Sequence, residues 1–210
     1  MAKDEIAKEF QYIGTRPNRP DGFDKVTGRA KYGADVSAVG MLHAAVLRSP
    51  YAHARIKYIN CEKAAKLSGV KAIVTRDDFP IVKDEDTLKL LENTIAGDFA
   101  YYDGHAIAAV AATSVFAAKE AIKQIEVDYE VLPHVIDVDE AIQPDAPVVR
   151  ENAGDFSVPE GSSPNVASYI EFGRGDISSG FDKADLVKSG RFKTEAAHQG
   201  YIEPHACMAQ

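Results

Sequence analysis

The chain is poor in cysteine, in positive charge and in long apolar runs, and each shortage closes off a class of function. Its two cysteines, Cys61 and Cys207, stand far apart and match no Cys-x-x-Cys spacing. The chain alone therefore cannot build a zinc ribbon or an iron–sulfur cluster, and both thiols are expected to be reduced. Lys plus Arg number 24 against 32 Asp plus Glu, a net charge of −8. A sequence-independent nucleic-acid binder needs a basic stripe that displaces counterions from phosphates, so nucleic acid is not an expected partner. No apolar run approaches the ~20 residues of a membrane span. Met1 to Lys8 are charged where a signal peptide has its apolar core, so the expectation is a cytoplasmic protein with no membrane partner. There is no internal repeat and no low-complexity tract.

What is present is 210 residues with 45% apolar content, enough for a sizeable core. Residues 1–19 carry Gly14 and Pro17 with little periodicity and read as an extended arm. Ala54 to Ile59 reads as a strand, Asn60 as the cap of a short helix from Cys61 to Leu67, and Val70 to Thr75 as a second strand. The unit recurs with an apolar run, His105 to Ala112, suited to a strand buried on both faces, followed by a helix from Ser114 to Lys123. Ile125-Glu-Val-Asp-Tyr-Glu-Val131 alternates apolar and acidic residues and predicts a strand with one face on a core. Met41 to Ser49 and, more weakly, Ala30 to Val36 add strands, and together these predict an α/β sheet in the broad α/β (α+β) class. Pro144, Pro147, Pro159 and Pro164 with Gly154 and Gly161 mark a linker, and beyond it Ile177 to Lys183 reads as a helix and Ala184 to Ala197 as a long strand.

The densest cluster of reactive side chains closes the chain. If His198 to Gln210 is a strand, Gln199, Tyr201, Glu203, His205 and Cys207 share one face, while Gly200, Ile202, Ala206 and Met208 share the other. Glu203 and His205 are competent metal ligands, and with them a metal-dependent hydrolase is conceivable, but a complete site needs a third ligand and supporting partners. Cys207 beside His205 lacks the orienting third group of a nucleophile pair. Polar side chains satisfied by a neighbouring element are the favoured reading. Asp98, Asp103 and His105 flank Tyr101-Tyr-Asp-Gly104, which reads as a turn. Gly173-Arg-Gly175 lacks the third glycine of a phosphate cradle, and Arg174-Gly175-Asp176 spells an adhesion tripeptide by coincidence. His43, His53 and His134 are isolated and read as structural.

Gly22-Phe-Asp-Lys-Val-Thr-Gly-Arg-Ala-Lys-Tyr-Gly-Ala-Asp35, then Leu42-His-Ala-Ala-Val-Leu-Arg-Ser-Pro-Tyr-Ala-His-Ala-Arg-Ile56, then Asp103-Gly-His-Ala-Ile-Ala-Ala-Val-Ala-Ala-Thr-Ser114 and Ile125 to Pro133 resemble, in order, the start of the molybdenum-binding subunit of the xanthine dehydrogenase and aldehyde oxidase family. Tyr201-Ile-Glu-Pro-His resembles a later family segment, with Ala197 and Gln199 where many members carry Gln and His. The resemblance implies an arm at 1–19, an α/β hammerhead domain at 20–135, a linker at 136–164 and the incomplete beginning of the first molybdopterin-binding domain at 165–210. It implies oxidative hydroxylation of an electron-poor carbon, with molybdopterin in the complete enzyme and 2Fe-2S clusters and FAD on partner subunits or domains.

The family's cofactor-cradling and catalytic residues are expected beyond Gln210, so no catalytic, cofactor-binding or metal residue is assigned here. This chain alone is expected to be inactive and to hold no cofactor. The expected partners are the remainder of the large subunit, an iron–sulfur subunit and an FAD subunit. The alternative is a non-catalytic binding or assembly module that retains the hammerhead.

Overall fold

A computed structural model describes residues 11–151 and 157–210; the first ten residues of the expected arm and residues 152–156 of the expected linker lie outside it. Contacts divide the chain into two units, one of residues up to Val39 with Gly190–Gln210, the other of Gly40–Ser189.

The first unit holds helix α1 (Gly22–Val26). The strand expected at Ala30 to Val36 is instead a single 3-10 turn at Gly33–Asp35, in which the Tyr32 N–H donates to Asp35 Oδ2 at 3.1 Å. That local bond offers the backbone an alternative to a sheet ladder. Nor is there a strand from Ala184 to Ala197 or through the terminal cluster, where every residue from Gly190 onward is exposed. Alternation in sequence builds a strand only where a partner strand completes its hydrogen bonds, and no described strand pairs with these residues.

The second unit contains strands β1 (His43–Arg48), β2 (Ala54–Asn60), β3 (Val70–Val74), β4 (Phe99–Ala100), β5 (Ala106–Ala112) and β6 (Glu126–Val131). Helices α2 (Glu62–Ala65), α3 (Glu85–Thr94), α4 (Val115–Ile122), α5 (Val138–Ala141) and α6 (Ile177–Asp182) lie between and beyond them. Ser114 caps α4 as the sequence suggests, its Oγ accepting from the Ala117 N–H at 3.1 Å, whereas the N-cap of α2 is Cys61 and Asn60, one residue earlier, uses its Oδ1 to accept from the Glu62 N–H at 3.0 Å. Helix α3 has a start signal that periodicity alone overlooks, Asp84, whose Oδ2 accepts from the Thr87 N–H at 2.9 Å.

The strands form two antiparallel sheets rather than one α/β sheet, with orders β1-β5-β3 and β4-β2-β6. Each strand-helix-strand unit therefore crosses between sheets: β2-α2-β3 leaves the second for the first, and β5-α4-β6 returns. A parallel crossover within one sheet takes a dozen or more residues, and only Cys61 to Gly69 separate β2 from β3.

Two apolar clusters fill this unit. Ala64, Ala108, Val110, Ala121 and Ile125 form one; Ala96, Ala100 and Ile107 form the other; Leu47, Ile59 and Val127 touch both. Alanine dominates because helices α2 and α4 approach the first sheet closely. Gly69 shows how closely: it has φ +89°, and a Cβ there would stand 2.8 Å from Thr113 Oγ1 and 3.4 Å from Ala117 Cβ. Its carbonyl accepts from the Thr113 N–H at 2.9 Å, so it cannot easily shift. Gly69→Ala is expected to cost at least about 1–2 kcal/mol from the left-handed backbone alone, read as a lower urea midpoint at unchanged slope.

Candidate functional site

Pairing of β2 with β4 sets Ala54 opposite Ala100 and Arg55 opposite Phe99, which lays the Arg55 guanidinium 4.8 Å from the centre of the Phe99 ring. The Phe99 and Tyr101 rings are nearly parallel with centres 6.0 Å apart, and the His53 ring lies 6.4 Å from each. Arg150 covers Tyr101 at 4.5 Å. It is held in place by α3, through Glu92 Oε2 at 2.5 Å and Asn93 Oδ1 at 3.2 Å. The result is a column, Arg55, Phe99, Tyr101, Arg150, of the kind cation–π attraction supports. Burial pushes the Tyr101 hydroxyl up, with the Glu92 charge adding and Arg150 opposing, so it stays protonated at neutral pH.

His53, Arg55, Phe99, Tyr101 and Pro133 line a cleft of about 510 Å³ closed by the segment Pro147–Val149 and Glu151. His53 is only 6% exposed. Its Nδ1 lies 2.8 Å from the Pro133 carbonyl, which can only accept, so Nδ1 carries the proton.

His105 stands behind this column, fully buried, with the Tyr102 ring stacked on it at 4.3 Å. Its Nδ1 accepts from the Tyr101 N–H at 3.2 Å, and its Nε2 has no hydrogen-bond partner. Burial pushes its pKa down; the Glu92 backbone opposes the shift without completing a bond to Nε2, and the Arg150 cation adds to it. The unfolded chain takes up this proton near pH ~6.5 and the folded one resists it, so stability falls as pH drops below about 6.5, by at most ~1.4 kcal/mol per unit. His105→Asn, whose Oδ1 can replace Nδ1 as acceptor, should lower stability at neutral pH but abolish this slope, as urea midpoints at about pH 5 and 7 would show.

The residues weighed from sequence are not gathered here, His53 and His105 excepted. The Asp98 carbonyl accepts from the Ile56 N–H, and Asp98 and Asp103 are exposed. His43 opens β1 and His134 is exposed. Gly175, at φ +76°, and Asp176, whose Oδ1 accepts from the Ser179 N–H, turn the chain into α6. Cys61 and Cys207 are free, and burial pushes the Cys61 thiol up. In the terminal cluster the His198, Tyr201 and His205 rings pack in succession at 4.8 and 4.6 Å. Glu203 Oε1 accepts from the Gly33 N–H at 3.2 Å, where a Cβ on Gly33 would stand 3.2 Å from the Ala206 carbonyl. Among the described residues no three His, Cys, Asp or Glu side chains converge as a metal site. The sequence signal overlooked was aromatic density, Phe99, Tyr101 and Tyr102 just before His105, with His53 and Arg55 two apart on one extended segment.

Residues 27–133 match the family described as "Aldehyde oxidase and xanthine dehydrogenase, a/b hammerhead domain". The chain is similar to a probable xanthine dehydrogenase subunit of Bacillus subtilis, 34% identical over 91% of this chain and 24% of that one. It is also similar to the "Nicotinate dehydrogenase large molybdopterin subunit" of Eubacterium barkeri, 30% identical over 96% of this chain and 45% of that one. Among solved structures, a Cu,Mo-CO dehydrogenase in its carbon monoxide reduced state aligns with a TM-score of 0.65 and 30% identity, over 82% of this chain and 23% of that one. The chain thus spans between about a quarter and just under half the length of these relatives.

Proposed function

The chain belongs to the aldehyde oxidase and xanthine dehydrogenase family, and from that premise we propose that it is the N-terminal portion of a molybdenum hydroxylase large subunit, architectural in role. One observation carries the reading. Every buried residue among those described lies between Ser49 and Ile125, inside the family match, while Phe172, Phe192 and Ile202 are more than nine-tenths exposed. Large apolar side chains left in water across a whole segment mark surface that other polypeptide covers. In this reading residues 20–135 are the hammerhead, 136–164 a linker and 165–210 the beginning of a molybdopterin-binding domain. The remainder of the large subunit completes that domain, and iron–sulfur and FAD subunits carry electrons away.

The described residues do not fit molybdopterin. Gly173 and Gly175 sit in an open turn with nothing within 4 Å of where a Cβ would stand, so no backbone cradle forms there. Gly33, whose surroundings are crowded, already gives its N–H to Glu203. The cleft at His53 sets the Glu151 carboxylate on the same lining as the Arg55 guanidinium, so it offers an anionic group no net positive charge. No chemical step through the cofactor is therefore assigned to this chain, and the reaction of the whole enzyme, hydroxylation of an electron-poor carbon, uses residues outside it. Among the described residues no helix is long and apolar enough to cross a membrane.

Co-expression with the C-terminal portion of a related large subunit tests the reading. The two should co-purify as a molybdenum-containing complex, and a failure of the halves to associate overturns it.

A further inference from the structure

We propose that His105 is a proton-operated latch: neutral, it fixes the Tyr101 to Gly104 turn on which Arg150 seats a strap, residues 147–151, and protonated, it releases that strap. The inference is independent of the role proposed above for the chain as a whole. It starts from one atom. Among the described residues, His105 Nε2 is the buried side-chain polar atom left without a hydrogen-bond partner, and the residue is wholly buried. Nδ1 accepts from the Tyr101 N–H at 3.2 Å, so the neutral ring carries its proton on Nε2. A protonated ring carries hydrogen on both nitrogens and can accept at neither. Taking up a proton therefore breaks the bond to Tyr101 and sets two N–H groups against each other in a buried place.

That bond stands where three elements meet. The Tyr102 ring stacks on His105 at 4.3 Å, and its hydroxyl donates to the Asn93 carbonyl at 2.9 Å, near the end of α3. The strap meets the same residues: Arg150 donates to Asn93 Oδ1 and Glu92 Oε2 and covers the Tyr101 ring at 4.5 Å. Asn165 ties the strap to its own chain, Nδ2 donating to the Pro147 carbonyl and Oδ1 accepting from the Val149 N–H, both at 3.0 Å. Loss of the Arg150 seat thus frees the strap from the sheet without unravelling it. The charges around His105 favour release on protonation. Arg150 is a like charge, the Glu92 carboxylate of α3 is already engaged by it, and Arg48, at the end of β1, donates to the Gly104 carbonyl at 2.8 Å. The other titratable groups nearby are Tyr101, Tyr102 and, 6.4 Å across the Tyr101 ring, His53, while Asp98 and Asp103 are exposed. The Tyr102 face attracts a cation, yet burial and Arg150 outweigh it, and His105 holds a proton less readily than it would in water.

The test is NMR of the chain between pH ~8 and ~5. Methyl signals of Val148 and Val149, which line the aromatic cleft, should move with the ring signals of His105 rather than with those of His53. The open form takes up the proton near pH ~6.5 and the closed form resists it, so the open fraction should grow about tenfold per pH unit below that point, until the closed form also protonates. Hydrogen exchange at the Tyr101 amide should show this rise and depend little on urea, whereas the Val110 amide, freed by unfolding of the core, should depend on it steeply. Arg150→Gln should release the Val148 and Val149 methyls at pH ~7 and, by reciprocity, raise the proton affinity of His105 severalfold. His105→Asn, which keeps an acceptor for the Tyr101 N–H and does not titrate, should hold the strap closed across the range; Arg150→Gln carries the test if that variant fails to fold. Valine signals that ignore the His105 titration, Tyr101 exchange as urea-dependent as that of Val110, or a His105 midpoint unmoved by Arg150→Gln overturns the proposal.

Discussion

Hydrogen exchange on the isolated chain should divide it into two regimes, with amides of β5 protected by ~10⁴-fold or more and those of residues 184–210 by almost nothing. The contrast follows from where the backbone bonds go. β5 is the central strand of its sheet, paired with β1 on one side and β3 on the other, and its residues Ala108, Val110 and Ala112 are fully buried. Exposing its amides requires opening the core, and a domain stability of roughly 5–15 kcal/mol sets that protection. Residues 190–210 have no strand or helix and no buried residue. The same measurement discriminates the two functional readings. A large-subunit portion awaiting the rest of its second domain gives the divided pattern, whereas a self-sufficient binding module would be protected through Gln210. Adding the missing portion should then extend protection into residues 165–210, where Phe172 and Phe192 stand exposed.

Most of the second unit's elements were legible because their signals are local. The alternation of Ile125 to Val131 marks β6, Ser114 marks α4, and the short helix expected from Cys61 to Leu67 is α2, each within a residue or two of the observed bounds. The arrangement of those elements was less legible. Periodicity says that a segment is a strand but not which neighbour it pairs with, and the brevity of the β2 to β3 connection was the available clue to a change of sheet. The run His105 to Ala112 reads as buried on both faces, yet Ala109 and Ala111 are only partly buried, so one face of that strand is less fully covered than the other among the described residues. At the carboxyl end, Gln199, Tyr201, Glu203, His205 and Cys207 alternate as a strand would, but a ladder needs a second strand and none pairs there. The cleft was least legible. His53 and Arg55 are separated from Phe99 and Tyr101 by more than forty residues, and only the β2–β4 pairing brings them together.

Ile107→Ala should be among the most damaging single substitutions in the chain, at about 2–5 kcal/mol and toward the upper part of that range. The reason lies in what surrounds the side chain. Ile107 is fully buried, and the fully buried neighbours in its cluster are Ala96 and Ala100. A truncation is mildest where long, flexible side chains can lean into the space, and alanine has none to offer. The partly buried residues packed against the cluster, Leu47, Ile56, Ile59, Val127 and Tyr129, are strand residues tied in place by sheet pairing, and Leu47, Ile59 and Val127 also serve the other cluster. Movement of any of these toward the void loosens packing across both sheets, so the damage should spread from one cluster to the other. The matching control is Ile202→Ala, at a side chain 98% exposed, which should change stability of the isolated chain by less than ~0.5 kcal/mol. Urea unfolding of the two variants compares them directly. A large loss for Ile107→Ala with none for Ile202→Ala places the folding energy within the span Ser49 to Ile125, while equal losses would mean that the terminal segment belongs to the same cooperative core.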